Sequence, residues 1–285
     1  MIDRVVIGAA QMGPSSFTDG KVNKKENVHR IIALLEKGIR ENVKIVCFPE
    51  LALTDYFPVR MDMNFEQYFD QIPNNLTKDI FTLTKEHSIS VILPYAEFDG
   101  VAYYNTAGII QNGALIGKYR KVHIPGSLIT PHFEKQYFTP GNLGYPVFDL
   151  MGVKLGVQIC YDRHFPEGHR ALALNGAQLV FNPTGLPYRG LEWRKTTWET
   201  FLRVRAFENQ VFVVGVNKGG EENGLDFAGD SMVINPIGGV VIAKSQTKGD
   251  ELVTVEINLY DIIEAKKILP IFRDRRPSEY RVLIE

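Results

Sequence analysis

Strand-like and helix-like stretches alternate along this chain until an Asn112-Gly113 pair breaks the rhythm. Asn-Gly supplies two residues that tolerate positive φ, which a type I′ turn requires. It therefore predicts a hairpin joining strands over residues 103–111 and 114–121. A second hairpin is expected to join 145–150 to 153–159. Parallel neighbours need a long, usually helical crossover, whereas a hairpin makes neighbours antiparallel. The mixture argues against a simple doubly wound parallel sheet. Two layered sheets covered by helices accommodate both patterns.

Hydrophobic spacing fills in the rest. Val28, Ile31, Ile32, Leu35 and Ile39 recur on one helical face, so residues 23–41 read as an amphipathic helix. Leu76, Ile80 and Leu83 mark a second. Residues 166–178 read as a helix with Pro166 near its start, where a missing N–H costs nothing. Further helices are expected over 192–209 and 261–269. Short apolar runs at 4–11, 44–48, 90–98, 179–182, 211–217, 231–235, 240–244 and 252–259 read as strands. No change of composition marks a linker, so residues 1–285 form a single domain, with a polar tail from Arg273.

With 285 residues, 45% of them hydrophobic, the chain can bury a large core. A net charge of −1 gives no electrostatic pull toward nucleic acid or an anionic membrane. Apolar runs such as 211–216 are too short to span a bilayer. The first residues lack the charged and apolar blocks of a signal peptide. Two cysteines, Cys47 and Cys160, make neither a disulfide scaffold nor a zinc site. Reduced thiols in the cytoplasm are expected, and one of them is available for chemistry.

Three segments share a form in which a strand runs directly into polar residues. They are Ile45-Val46-Cys47-Phe48-Pro49-Glu50, Gly117-Lys118-Tyr119-Arg120-Lys121-Val122-His123 and Gly156-Val157-Gln158-Ile159-Cys160-Tyr161-Asp162-Arg163. Strand ends gather in space, and sheet proteins build active sites there. Cys160, between an apolar strand and a polar turn, suits a nucleophile beside backbone N–H donors. A free cysteine is more often a small buried hydrophobe, and Cys47, inside its strand, takes that reading. Glu50 follows a proline that restricts the backbone, and a carboxylate in apolar surroundings could shuttle a proton. On local sequence a surface carboxylate or a helix cap fits Glu50 better. One lysine among Lys118, Arg120 and Lys121 could turn inward to an oxyanion, but local sequence does not choose it.

Phe48-Pro49-Glu50, the segment from Gly117 to His123 and Ile159-Cys160-Tyr161-Asp162-Arg163-His164-Phe165-Pro166-Glu167 together resemble the three signature segments of the nitrilase superfamily, in that family's order. The similarity continues at Asn182-Pro183, Val216-Asn217 and Ser231–Gly238, and so runs through nearly the whole chain. Within the superfamily the pattern is most similar to the N-carbamoyl-D-amino-acid amidohydrolases, through Phe48–Thr54, His132–Phe138 and Arg276–Tyr280. That branch has Asn-Asp-Arg-Arg after its cysteine; here Tyr161 and His164 stand at the first and last of these positions.

The resemblance implies a four-layer α-β-β-α sandwich and no cofactor or metal. It implies a small-molecule amide or carbamoyl substrate, and homodimers or homotetramers with the tail from about residue 270 at an interface. It implies catalytic roles for Glu50, Lys121 and Cys160, with Glu134 supporting the lysine and the leaving group. The backbone N–H of Tyr161 would join Lys121 in holding the oxyanion. Arg163 is the candidate for a substrate carboxylate, with an ion pair to Asp162 or Glu167 as its structural alternative. His164 would be its weaker companion, and His132 and Asn182 complete the candidate binding residues. A structural role is preferred for His123. A histidine-dependent thiol hydrolase and a non-catalytic scaffold are the competing classes. Neither predicts a Glu, Lys and Cys in this order.

Overall fold

Burial of both strand faces decides the architecture. Strands Arg4–Gln11, Ile45–Cys47 and Ser90–Phe98 are buried along almost their whole length, so apolar layers must cover both sides. The protein is described by a computed structural model covering residues 3–18, 21–126, 132–188 and 190–283. In chain order the elements are β1 (Arg4–Gln11), β2 (Phe17–Thr18), β3 (Lys21–Val22), α1 (Lys24–Arg40), β4 (Ile45–Cys47), α2 (Lys78–Glu86), β5 (Ser90–Phe98), β6 (Tyr103–Gln111) and β7 (Ala114–Arg120). Then follow α3 (Glu134–Tyr137), β8 (Phe148–Leu150), β9 (Val153–Val157), α4 (Pro166–Leu174), β10 (Leu179–Thr184), α5 (Trp193–Asn209) and β11 (Phe212–Asn217). The last are β12 (Gly219–Glu222), β13 (Leu225–Ala228), β14 (Met232–Asn235), β15 (Val240–Lys244), β16 (Glu251–Asn258), α6 (Tyr260–Ile268) and α7 (Ile271–Asp274).

Two six-stranded sheets result, ordered β16-β1-β4-β5-β6-β7 and β15-β14-β11-β10-β9-β8. Counted from β16 in one sheet and from β8 in the other, successive pairings are antiparallel, parallel, parallel, antiparallel, antiparallel in both. The two sheets therefore repeat one plan, although the sequence shows no repeat. Ile7, Ile45, Ile92 and Tyr119 from the first sheet meet Leu155, Phe181, Val214 and Val233 from the second in a central core. The other face of the first sheet packs on Ile31, Leu35 and Ile80 of α1 and α2. The other face of the second packs on Leu172, Trp198 and Leu202 of α4 and α5. Helix, sheet, sheet and helix make the expected four-layer α-β-β-α sandwich.

Local chemistry sets the element ends. Asn23 caps α1 by accepting the Glu26 N–H at 3.1 Å, and Lys37 and Arg40 complement the dipole in its last turn. Helix α4 stops at Leu174, four residues short of the expectation, because Gly176 takes a φ of +93° that ends the helix. The β12–β13 hairpin was not anticipated. Its turn carries another Asn-Gly pair, Asn223-Gly224, but its first strand, Gly219–Glu222, has no apolar residue to mark it. Among the described residues no helix is long and apolar enough to cross a membrane.

Candidate active site

Strand β4 delivers Glu50 just beyond its C-terminal end, and β9 delivers Cys160 in the same way. Strand β7 supplies Lys121, and side-chain parity chooses it. Lys118 and Arg120 share one face and pair with the buried Glu97 of β5, at 2.6 and 2.8 Å. Tyr119 and Lys121 take the opposite face, toward the second sheet. Tyr119 is wholly buried there and donates to Asp162 Oδ2 at 2.7 Å. Of these three basic residues, Lys121 is the one turned toward Glu50 and the second sheet.

Lys121, 1% exposed, lies between two buried carboxylates. Its Nζ donates to Glu50 Oε1 at 2.7 Å and to Glu134 Oε2 at 2.6 Å. Burial opposes a charge on this lysine, but Glu134 and Glu50 outweigh it and hold the ammonium well above the usual lysine range. Glu50 also accepts from Asn105 Nδ2 at 2.7 Å and from the Gly185 N–H at 2.9 Å. It is thus surrounded by donors, not set in apolar surroundings as its sequence context suggested. A side chain at Gly185 is excluded, because a Cβ there would lie 2.9 Å from the Tyr56 ring and 3.5 Å from Glu50 Oε2.

Cys160 opens a 3-10 turn, Cys160–His164, with a φ of +46°. Left-handed backbone at a non-glycine residue costs on the order of 1–3 kcal/mol and persists only where its surroundings enforce it. Here the Arg163 guanidinium donates to the Cys160 carbonyl at 2.7 Å, and Asp162 Oδ2 accepts the Ile159 N–H at 3.1 Å. Leu51, next to Glu50, is also left-handed at +54°. Burial, and then the Glu50 carboxylate, push the Cys160 thiol up to about 12, against the opposing pull of Lys121 and Arg163. A thiol held this high favours its protonated form, so a nucleophilic role for it would require a base. Cys47 sits wholly within the apolar core, where burial raises its thiol well above the ordinary cysteine range.

Cys160 opens onto a cavity of about 220 Å³ lined in part by Tyr56, His132, Tyr161, Arg163, His164 and Arg194. Four of the five candidate binding residues thus share it. Asn182 does not line it: its amide donates to the Gln158 carbonyl and its oxygen accepts from Thr184 Oγ1 at 3.1 Å, which tie β10 to the approach to Cys160. Arg163 is not in an ion pair with Asp162 or Glu167. Asp162 is occupied by Tyr119, Ile159 and the N–H and imidazole of His123. The Arg163 guanidinium lies 3.7 Å from Cys160 Sγ and 5.4 Å from the Trp198 ring centre, and its Nε is buried without a hydrogen-bond partner. Burial, with Arg163, Arg205 and Arg194 nearby, lowers the His164 imidazole to about 4 and keeps it neutral.

The sequence reading missed Tyr56, Asn105, Gly185, Trp193 and Arg194. Asn105, a polar residue inside the apolar strand β6, carried a usable signal; the others lie in unremarkable loop and helix-start contexts. Among the described residues no group of three or more His, Cys, Asp and Glu is placed to hold a metal ion. A larger cavity of about 600 Å³ lies away from this chemistry, between α4 and the C-terminal segment.

The sequence profile of the carbon-nitrogen hydrolase family matches residues 6–267. A nitrilase of Pyrococcus abyssi is 34% identical, over 97% of this chain and 99% of its own. An N-carbamoylputrescine amidase of rice (Oryza sativa subsp. japonica) is 31% identical, over 92% of this chain and 90% of its own. Among solved structures, a variant of the amidase from Nesterenkonia sp. AN1 superposes with a TM-score of 0.79 at 25% identity, over 97% and 95% of the two chains. That variant carries the acetamide moiety of fluoroacetamide covalently added at its active-site cysteine.

Proposed function

This chain belongs to the carbon-nitrogen hydrolase family, an enzyme family acting on non-peptide C–N bonds, and from that premise we propose that it cleaves small N-carbamoyl amino acids through a covalent intermediate on Cys160. The observation that carries the reading is the Cys160 side chain facing a cavity that contains guanidinium groups, beside a lysine clamped between two carboxylates. Glu50 takes the Sγ proton as sulfur attacks the carbonyl carbon. Lys121 Nζ and the Tyr161 backbone N–H hold the resulting oxyanion, and such donors act on charge present only in the transition state. Glu50 returns the proton to the departing nitrogen, which leaves an acyl- or carbamoyl-thioester on Cys160. Glu50 then activates water, which releases the acyl group as an acid and restores the thiol. A carbamoyl substrate yields ammonia, carbon dioxide and a free amine. Glu134 holds Lys121 from the other side and orients the leaving group.

The choice of an acidic substrate rests on Arg163 and Arg194. Among the described residues, those lining the cavity include these two guanidiniums and no carboxylate. A guanidinium grips a carboxylate well and repels an ammonium. The volume suits a small substrate. The name of the rice relative favours a second reading, with a cationic carbamoyl amine as substrate, which the cavity charge opposes. In this reading the protein works as an oligomer. Ile268, Val282 and Leu283, exposed on α6 and the C-terminal segment, support that by offering apolar surface for a second copy.

The test is ammonia release from N-carbamoyl-D- and L-amino acids, N-carbamoyl-β-alanine, N-carbamoylputrescine and plain amides. N-carbamoyl amino acids are expected to give the highest kcat/KM. A preference for N-carbamoylputrescine overturns the substrate reading, and no release from any of them overturns the reaction.

A further inference from the structure

Tyr56 is wholly enclosed yet touches the site, and nothing in the mechanism above uses it. Its phenol donates to Glu134 Oε1 at 2.6 Å, while the other oxygen of Glu134, Oε2, accepts from Lys121 at 2.6 Å. The two oxygens of this carboxylate are thus assigned to two different donors. His132, the other neighbour of Oε1, stands back at 3.8 Å. The tyrosine is fixed at both of its ends. Its backbone N–H donates to Glu222 Oε1 at 2.7 Å. Glu222 is buried, receives the Ser15 N–H at 2.6 Å and forms an ion pair with Lys218 at 2.8 Å. The Tyr56 ring meets the Phe227 ring edge-on with centres 5.9 Å apart. Lys218 immediately precedes β12, Glu222 ends it and Phe227 lies on β13, so the small hairpin grips one tyrosine.

We propose that Tyr56 is a positioning residue for the reaction: its phenol orients Glu134 so that Oε2 stays on Lys121 and Lys121 Nζ stays where the oxyanion forms. This rests on the hydrolase reading above. The phenol is a neutral donor to an anionic acceptor, a strong class of hydrogen bond. It acts at one remove from the reacting atoms, through Glu134. Without it the carboxylate is free to rotate and take Lys121 off its position. Displacements of this size at a catalytic charge lower kcat more than they raise KM, because the oxyanion exists only in the transition state.

The experiment is a double-mutant cycle on kcat and KM with Tyr56→Phe, Glu134→Gln and the pair, using the best substrate of the wild-type chain. Tyr56→Phe keeps the ring and its packing on Phe227, and circular dichroism and melting establish that each variant is folded. The expected result is a fall of about 10–100-fold in kcat for Tyr56→Phe with KM within about twofold. In the pair, the tyrosine change is expected to add nothing to the loss already caused by Glu134→Gln, because the phenol acts through that carboxylate. Unchanged kcat in Tyr56→Phe overturns the proposal and leaves the hydrolase reading standing. Losses that multiply in the pair also overturn it, by showing that Tyr56 acts independently of Glu134. If the wild-type chain releases no ammonia from any amide or carbamoyl substrate, the hydrolase reading falls and this one with it.

Discussion

The charges around Cys160 fall into two walls: Lys121, Glu50 and Glu134, none of which lines the cavity, close on themselves, whereas Arg163, which lines it, is left underpaired. Lys121 sits between Glu50 and Glu134 at 2.7 and 2.6 Å, all three buried. On the lining wall, Arg163 answers, among the described residues, to a carbonyl, a sulfur and an indole ring, with its Nε unpartnered, and His164 beside it is held neutral. Paired buried charges are costly to disturb, because removing one strands the other. An underpaired guanidinium near a cavity is satisfied most cheaply by something that enters. The closed wall therefore suits chemistry common to many substrates, and the open wall suits selection among them.

The sharpest way to break this comparison is at the nucleophile between the walls. Cys160→Ala should lower kcat by about 10⁴-fold or more while the chain melts near the wild-type temperature. Cys47→Ala should keep turnover and lose about 1 kcal/mol of stability from a small core cavity. Swapped phenotypes, read by ammonia release and thermal melting, would move the nucleophile to Cys47.

Next comes the closed wall. Lys121→Met leaves Glu50 and Glu134 buried without their shared cation, which typically costs about 3–5 kcal/mol. Denaturant unfolding should show that loss together with abolished turnover. An unfolding midpoint equal to that of the wild type would mean that the pair contributes little to the fold.

Smaller effects are expected on the open wall. Arg194→Leu should reduce kcat/KM for acidic substrates by about 10–100-fold and spare neutral amides. Arg163→Leu should reduce both classes, acidic ones further, since Arg163 also holds the Cys160 carbonyl. Measuring both ratios separates recognition from support of the nucleophile, and a neutral substrate unaffected by Arg163→Leu would deny the second role.

A last effect is on stability against pH. Burial lowers the imidazole of His169 to about 3, and burial with nearby arginines lowers that of His164 to about 4, both from 6.5. Each stays neutral in the folded chain over a range where the unfolded chain takes up a proton. Stability is therefore intact above about pH 6.5 and declines as pH falls toward 4. Melting temperatures at pH 7 and pH 4.5 should differ in that sense, and His169→Leu should flatten the slope. A slope unchanged in that variant would remove His169 as a source.

Asn112-Gly113, the helical spacing of Val28, Ile31 and Leu35, and the apolar runs either side of Cys160 were sufficient for elements and layers. Each depends on neighbours a few residues apart. The two Asn-Gly hairpins show the limit: one was legible because both its arms are apolar, and the other, at Asn223-Gly224, was hidden by a first arm, Gly219–Glu222, with no apolar residue. Ile32 and Ile39, expected on the buried face of α1, are only partly buried, while Leu34, not expected there, is buried. Packing against a particular sheet, and not periodicity alone, sets the width of an apolar face.

For the site, sequence alone determined which residue types stand at the strand ends, and the family resemblance pointed to Glu50, Lys121 and Cys160 in the family's order, with Glu134 at a further matching position. Tertiary structure decided which groups touch. Lys121 was separated from Lys118 by a partner on another strand, Glu97. Tyr56 reached Glu134 across 78 residues, and Asn105 reached Glu50 across 55. Asn182 was drawn away from the cavity by a carbonyl 24 residues earlier in the chain. Periodicity survives small shifts of the backbone because it needs only neighbours along the chain. A hydrogen bond near 2.7 Å between distant strands is lost when either moves by about an ångström, so it exists only once both sheets are packed.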